Sequence, residues 1–594
     1  MRVITSLTIA AVLIAGGAAA AAVEPAPRPV GQTLDVAPWV TVWSESARKS
    51  LPVTSSSWPS ALVETNFYAY EDGDEIDQDV FLSARANGYM DPVVLYFYWQ
   101  DADTGAKRYY NVFQGLLDEG EVSDLFSFGT DPLRVFAPTV DELKLFGADG
   151  AAFGAAPNLP LGHYAWVLEI RTPDGEVLAS DYGLYNVVGS VETVTGNITS
   201  DTTWTADTLY VMGATIFVQN GATLTIEPGT VVLGGIDRSA VVVEPGAKIM
   251  AVGTDMKPIV FTSPQERGDR SAGDWGGIII AGNAPINVTG GTSNVEGFEQ
   301  VTYGGDQPHE SSGYLRYVRI EFGGFEFNPD NELNGLALHG VGDGTVIDHM
   351  QVISNADDGI EWFGGTADCK YMIFTGNYDD SVDCTEGAQF KIQHLVVVQE
   401  GSIDADHGFE FDNWENDNDA TPRVFAEIYN ATLVGSADTG DRGDDGMKIR
   451  RGTGGAFYNF IVTGFRETGL DVDDEATHIQ ANNGGLVFGN SIMHGNGSYT
   501  GQPNIKEDAE GSWQGSDVWF TQDMPMNRVV DPMLADPFFN FVPNLVPLPG
   551  SPARDASYVQ APPSDGFFDQ VDYLGGVDPS DDWTHAPWVN WSLK

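Results

Sequence analysis

Basic residues are scarce in this chain. Twenty-nine Lys and Arg face 85 Asp and Glu among 594 residues, a net charge of −56. A surface so negative repels phosphate backbones and anionic head groups, which excludes nucleic acid as a partner. Cysteine is scarcer still, with only Cys369 and Cys384. Two thiols with no ligand set nearby make no zinc centre; they admit either a disulfide or two small buried hydrophobes. Long apolar runs are missing after the first residues, so no integral membrane span is expected. No phosphate loop, dinucleotide fingerprint or G-x-S-x-G elbow occurs in a fitting context, and no organic cofactor is expected.

Apolar residues are plentiful. The chain is 42% hydrophobic and 11% aromatic, enough to bury a large core, and its 69 glycines imply many turns. It begins MRVITSLTIAAVLIAGGAAAAAVEPAPRP. Arg2, the apolar run Val3 to Ile14 and the Ala20/Ala22 cleavage option predict a signal peptide over 1–22. A secreted, periplasmic or cell-surface location follows. Residues 23–39 read as a Pro-rich linker.

Residues 40–190 show short alternating runs broken by turns at Asp103-Thr104-Gly105 and Pro173-Asp174-Gly175, with Tyr164, Trp166 and Leu168 on one face. This predicts a small β-sandwich-like domain without a catalytic cluster. Residues 191–594 have a different texture. Glu-Pro-Gly recurs with Glu227 and Glu244 17 positions apart. Further on, Gly359, Ser381, Gly408, Gly446 and Gly469 each follow a polar or acidic pair, at steps of 22, 27, 38 and 23. After each comes a period-two pattern: Ile360/Trp362, Val382/Cys384, Phe409/Phe411, Met447/Ile449 and Leu470/Val472 flank Glu361, Asp383, Glu410, Lys448 and Asp471. Short strands at a repeat of twenty-odd residues predict a β-solenoid with the apolar set inside and the polar set outside. The small residue before each strand is expected to suit a bend.

The segments LTIEPGTVV, GDWGGIIIAGNAPIN, GYLRYVRIEFGGFEF and DDGIEWFGGTADCKYMIFTGNYDDSVDC, with the closing FFDQVDYLGGVDPSDDWTHAPWVNW, resemble a widespread uncharacterised group of exported bacterial right-handed parallel β-helix proteins. The resemblance covers roughly 195–591. It implies an all-β architecture, a right-handed parallel β-helix after the sandwich-like domain, and it carries over no catalytic residue.

The repeated acids define the candidate chemistry. A glycoside hydrolase needs two carboxyls, about 5–5.5 Å apart for retention or 6.5–9.5 Å for inversion. Coils stacked at about 4.8 Å reach either spacing. Asp358, Asp380, Asp406 and His407 are the catalytic candidates. A lyase would take Lys448 or Arg450 as base, beside Asp444 and Asp445. Stacked carboxylates also suit Ca²⁺, a hard cation with oxygen ligands, and the candidate ligands are Asp357, Asp379, Asp383, Asp412, Asp417, Asp444 and Asp445. The sequence favours an exported binding module for a glycan or other cell-surface component, stiffened by Ca²⁺, over an enzyme. A polysaccharide hydrolase or lyase is the second reading and a structural surface component the third. Trp275 is expected in the core, His339, His349 and His394 in structural positions, and Trp583, Trp588 and Trp591 over the last coil.

Overall fold

Alternation of apolar and polar residues at period two can bury one face of a strand, and a strand only three or four residues long buries little by itself. This chain solves the problem by stacking. In the computed structural model the described residues are 160–593, apart from 236–238, 326–331, 402, 404, 438–444, 499–500, 502, 510 and 539–541; before 160 the strands and some short connections are described. They fall into two compact units divided after Val191, with His585–Ser592 joining the first.

The first unit holds a five-stranded and a seven-stranded sheet. Gly162–Arg171 pairs antiparallel with both Val177–Val188 and Pro92–Asp101. Phe97 stacks on Trp166 and Trp99 on Tyr164, each pair with ring centres 5.1 Å apart. The architecture is sandwich-like.

The second unit is a right-handed parallel β-helix. Successive coils give strands to a 17-stranded sheet and a nine-stranded sheet. Register runs straight through the repeat: Ile360, Val382, Phe409 and Met447 are partners on consecutive coils. Their side chains are fully buried, as are Trp362, Cys384, Phe411 and Ile449. One continuous core extends from Ile198 to Phe520. Inside it Trp362 stacks on Phe390 at 4.3 Å and Phe409 on Phe411 at 5.1 Å. Both cysteines are free and buried. Cys369 lies in register with Ile347 and Ile392, and Cys384 with Trp362 and Phe411, so they act as small hydrophobes. Trp275 is buried too, its indole N–H donating to the Glu321 carbonyl at 2.8 Å.

The small residue before each strand is required for a reason other than bending. Gly359, Gly408 and Gly446 are not in the left-handed region. A Cβ at Gly408 would lie 2.5 Å from the Gly446 carbonyl oxygen, and one at Gly446 2.6 Å from that of Gly469. At these glycines the next coil passes too close for a side chain, and only Ser381 of the series carries a small one.

Left-handed residues occur elsewhere, in the 17-stranded sheet. Tyr317, His349, Tyr371, His394, Asn430, Asn459 and Asn490 all have φ between 50° and 62° and fall at one register position on successive coils. The first four rings stack at 4.5, 4.4 and 4.6 Å. Residues 552–583 return across this column. Gln393 exchanges two hydrogen bonds with the Asp569 backbone, Asn430 donates to the Tyr573 carbonyl, Asn459 pairs with Gln560 and Asn490 donates to the Tyr558 carbonyl. Trp583 packs edge-on against Tyr371 at 5.3 Å, and Trp588 and Trp591 belong to the first unit. The expected aromatic cover of the last coil is instead supplied by Trp513, Trp519 and Phe520, which continue the core. Among the described residues no helix is long and apolar enough to cross a membrane.

Candidate functional site

The outer face of the nine-stranded sheet changes chemistry partway along. Its outward positions, in register, are Phe217, Val242, Ile279 and Ala337, then Glu361, Asp383, Glu410, Lys448 and Asp471. The apolar stretch is covered by the hairpin Ser293–Val295 and Phe298–Tyr303, whose Val295, Phe298, Val301 and Tyr303 pack on Val242, Ile279 and Ala337. The charged stretch begins on the next coil.

Here three carboxyls stand on three consecutive coils. Glu361 is nearly buried and accepts a hydrogen bond from Asn334 Nδ2 at 2.6 Å. Asp383 and Glu410 are half-buried. Arg450 Nη2 lies 2.6 Å from Glu410 Oε2, and its Nε lies 2.8 Å from Asp412 Oδ1. Crowding keeps protons on these groups. Burial first, then Asp383 and Glu296, pushes the Glu361 carboxyl up, and burial followed by Glu410 and Asp380 does so for Asp383. Burial, with Asp380 and Asp412, lifts Glu410 to about 7. Asp379, on the rim, also reaches about 7 through burial and the charges of Asp380 and Asp406. Protonated and ionised carboxyls therefore coexist near neutral pH.

The sequence candidates separate into distinct environments. Asp358 and Asp380 are buried and brace the coils: Asp358 Oδ1 accepts the Asp380 backbone N–H at 2.9 Å, and Asp380 Oδ1 accepts that of His407 at 2.7 Å. His407 Nδ1 lies 3.0 Å from Asp380 Oδ1 and 3.7 Å from Glu410 Oε1, and Nε2 lies 3.7 Å from Asp406, which is half-exposed. Burial opposes the imidazolium, but these carboxylates outweigh it and lift His407 to about 10, so it is a fixed cation. Asp445 follows in the same column, its carbonyl accepting from Gly408 N–H at 3.0 Å. Asp412 is held by Arg450 and Arg451. Asp417 sits in an exposed turn, accepting the Asp419 N–H at 3.1 Å. Asp444 lies outside the described residues. Glu361 and Glu410 were legible as outward positions but not as site residues.

Four groups bring ligand atoms within 4.8 Å of one another: Asp357/Asp358/Asp379, Asp358/Glu361/Asp383, Asp379/Asp380/Asp406 and Asp380/His407/Glu410. The all-carboxylate sets could hold a divalent ion. The bases expected for a lyase are not poised. Burial works against the Lys448 charge, but its 2.7 Å contact with Asp471 outweighs that and holds the ammonium above its ordinary range. Asp412 and Glu410 do the same for Arg450.

A family model described as a pectate-lyase like beta helix domain matches residues 196–513. No curated protein and no solved structure matches the chain. The family match corrects the expectation that the chain is a binding module rather than an enzyme, because it points to lyase or hydrolase chemistry. The match spans more than half of the 594 residues and coincides with the coils that carry the carboxyl ladder, so the chain belongs to the pectate-lyase-like β-helix family.

Proposed function

We propose that this chain is an exported polysaccharide hydrolase whose working pair is Asp383 and Glu410. The observation that carries this is their placement: register partners on adjacent coils, both half-buried, at the only step of the described outer ladder where two solvent-reachable carboxyls meet. Coil spacing of about 4.8 Å is close to the carboxyl separation of retaining glycosidases. The protonated member of the pair gives its proton to the leaving glycosidic oxygen while the ionised one attacks the anomeric carbon; a water, deprotonated by the first, then cleaves the glycosyl-enzyme bond and restores both groups. Arg450, bonded to the far side of Glu410, fixes its orientation.

The substrate is a neutral polysaccharide. Glu296, Glu332, Asp357 and Asp379 border the ladder, and a polyuronate would add further carboxylates to a set already so crowded that it holds its protons. Ca²⁺ fits the turn carboxylates Asp357, Asp358 and Asp379, where it would relieve like-charge repulsion and stiffen the rim.

The test is a panel of xylan, mannan, galactan, β-glucan and polygalacturonate, with calcium and with chelator. New reducing ends without unsaturated products, lost in Asp383→Asn and Glu410→Gln, are expected. Unsaturated products, or no cleavage of any polymer, overturn the proposal.

A further inference from the structure

Asp383 and Glu410 are register partners, yet their surroundings are opposite in sign. Glu410 stands between two cations. Arg450 Nη2 lies 2.6 Å from its Oε2, and His407 Nδ1 lies 3.7 Å from its Oε1. Asp383 stands among carboxyls. One of its oxygens lies within 4.8 Å of an oxygen of Asp358 and of Glu361. Arg450 spends its Nε and Nη2 on Asp412 and Glu410, and among the described residues no basic side chain pairs with Asp383.

His407 is locked in place beside Glu410. The residue is buried, its backbone N–H donates to Asp380 Oδ1 at 2.7 Å, and its Nδ1 lies 3.0 Å from the same oxygen. The acid that holds it belongs to the coil of Asp383, so stacking itself aims the ring. The two oxygens of Glu410 also differ. Oε2 accepts a hydrogen bond from Arg450, whereas among the described residues nothing donates one to Oε1. Oε1 keeps its lone pairs free while a cation on each side favours the negative charge. A carboxyl crowded by other carboxyls, beside an ionised partner, keeps its proton.

We infer that Glu410 is the nucleophile, attacking through Oε1, that Asp383 is the acid and then the base, and that His407 is the positioning residue which, with Arg450, keeps these roles apart. The inference deepens the hydrolase reading and rests on it. In the first step Oε1 bonds to the anomeric carbon as the glycosidic bond breaks, and the electron pair goes to the leaving oxygen, which takes the Asp383 proton. In the second, water attacks that carbon and its proton passes to Asp383. The ester bond then breaks and its electron pair returns to Oε1. His407 acts through Glu410 by holding charge on the attacking carboxylate.

The experiment uses the full chain and the 2,4-dinitrophenyl β-glycosides of xylobiose, mannobiose, galactobiose and cellobiose, with and without sodium azide. Dinitrophenolate leaves without a proton, so Asp383→Ala should release it with kcat/KM within about tenfold of the unaltered protein. Azide should then give the β-glycosyl azide. Glu410→Ala should lose at least about 10³-fold, and azide should give the α-glycosyl azide. The two azide products exchanged between the variants overturn the inference and leave the hydrolase reading standing. Absence of all cleavage, of polymers and glycosides alike, removes both. For His407 the variant is His407→Gln in the Asp383→Ala background, where the nucleophile alone governs release. The acidic limb of its pH–rate profile should move to higher pH, because a neutral amide no longer favours the carboxylate. A limb that stays in place in cooperatively melting protein overturns the part assigned to His407. His407→Asn is the second variant should the first not melt cooperatively. The unaltered protein gives an independent answer when trapped with the 2-deoxy-2-fluoro forms of the same glycosides and digested. The sugar on Glu410 supports the assignment, and the sugar on Asp383 overturns it.

Discussion

Asp358 Oδ1 accepts the backbone N–H of Asp380 one coil further on, and Asp380 repeats the bond to His407. These acids carry the coil-to-coil stacking at the ladder's flank. Asp358→Ala leaves a buried N–H without its acceptor and should lower stability by about 1–3 kcal/mol. Chemical denaturation measures the loss. Any fall in turnover should track the folded fraction, and a hundredfold loss in fully folded protein would reassign Asp358 to the chemistry.

Glu410→Gln and Asp383→Asn should each reduce hydrolysis by about 10²–10⁴-fold while the melting temperature holds or rises, because a repelled carboxylate is removed. Proton NMR of the first product should show the anomeric configuration of the substrate retained. Inversion would move the pair to Glu361 and Glu410, two coils apart.

Stability should fall as pH rises. Asp379 and Glu410 ordinarily ionise near 3.8 and 4.5, and in the fold near 7. Between those values the folded chain holds protons that the unfolded chain has released, so each rise in pH favours unfolding. His407, lifted from 6.5 to about 10, has the same sign over that higher window. His339, pushed by burial to about 3, acts in the opposite sense between 3 and 6.5. Above 6.5 nothing in this set opposes the trend. Thermal melts should show a decreasing transition temperature from pH 6.5 to 9, where His407 carries the slope, and Asp379→Asn should remove part of the decrease between about pH 4 and 7.

Calcium should flatten the same curve. At pH 8 Asp379, which titrates near 7, is ionised and a divalent ion raises the melting temperature; at pH 5 it retains its proton and the gain shrinks. A calcium shift at pH 8 that survives Asp357→Asn combined with Asp379→Asn would place the ion elsewhere.

The coil pattern was legible because the period-two alternation after each small residue is a local property that survives steps as different as 22 and 38. Ile360/Trp362 and Val382/Cys384 point inward for the same reason that their neighbours point outward. The covered apolar stretch was not read, although its signal was present. Val241–Val243, Ile278–Ala281 and Leu336–His339 are apolar at every or nearly every position, and such runs mean that both faces are covered. The cover itself comes from a hairpin whose alternating residues look like one more coil. Asp358 and Asp380 were the right residue type one step too early: they sit before the strand, where backbone N–H groups need acceptors, while Glu361, Asp383 and Glu410 sit on it. The fate of Lys448 depended on Asp471, 23 positions away, which only the stacking brings to 2.7 Å.

The returning segment 552–583 has a consequence for assembly. A simple solenoid can fray from its last turn inward, since each turn leans only on its neighbours. Here the amides of Gln393, Asn430, Asn459 and Asn490 are clasped by residues made more than sixty positions later. Four turns then open together or not at all, and a chain emerging from the ribosome cannot fasten them until residues 558–573 have followed.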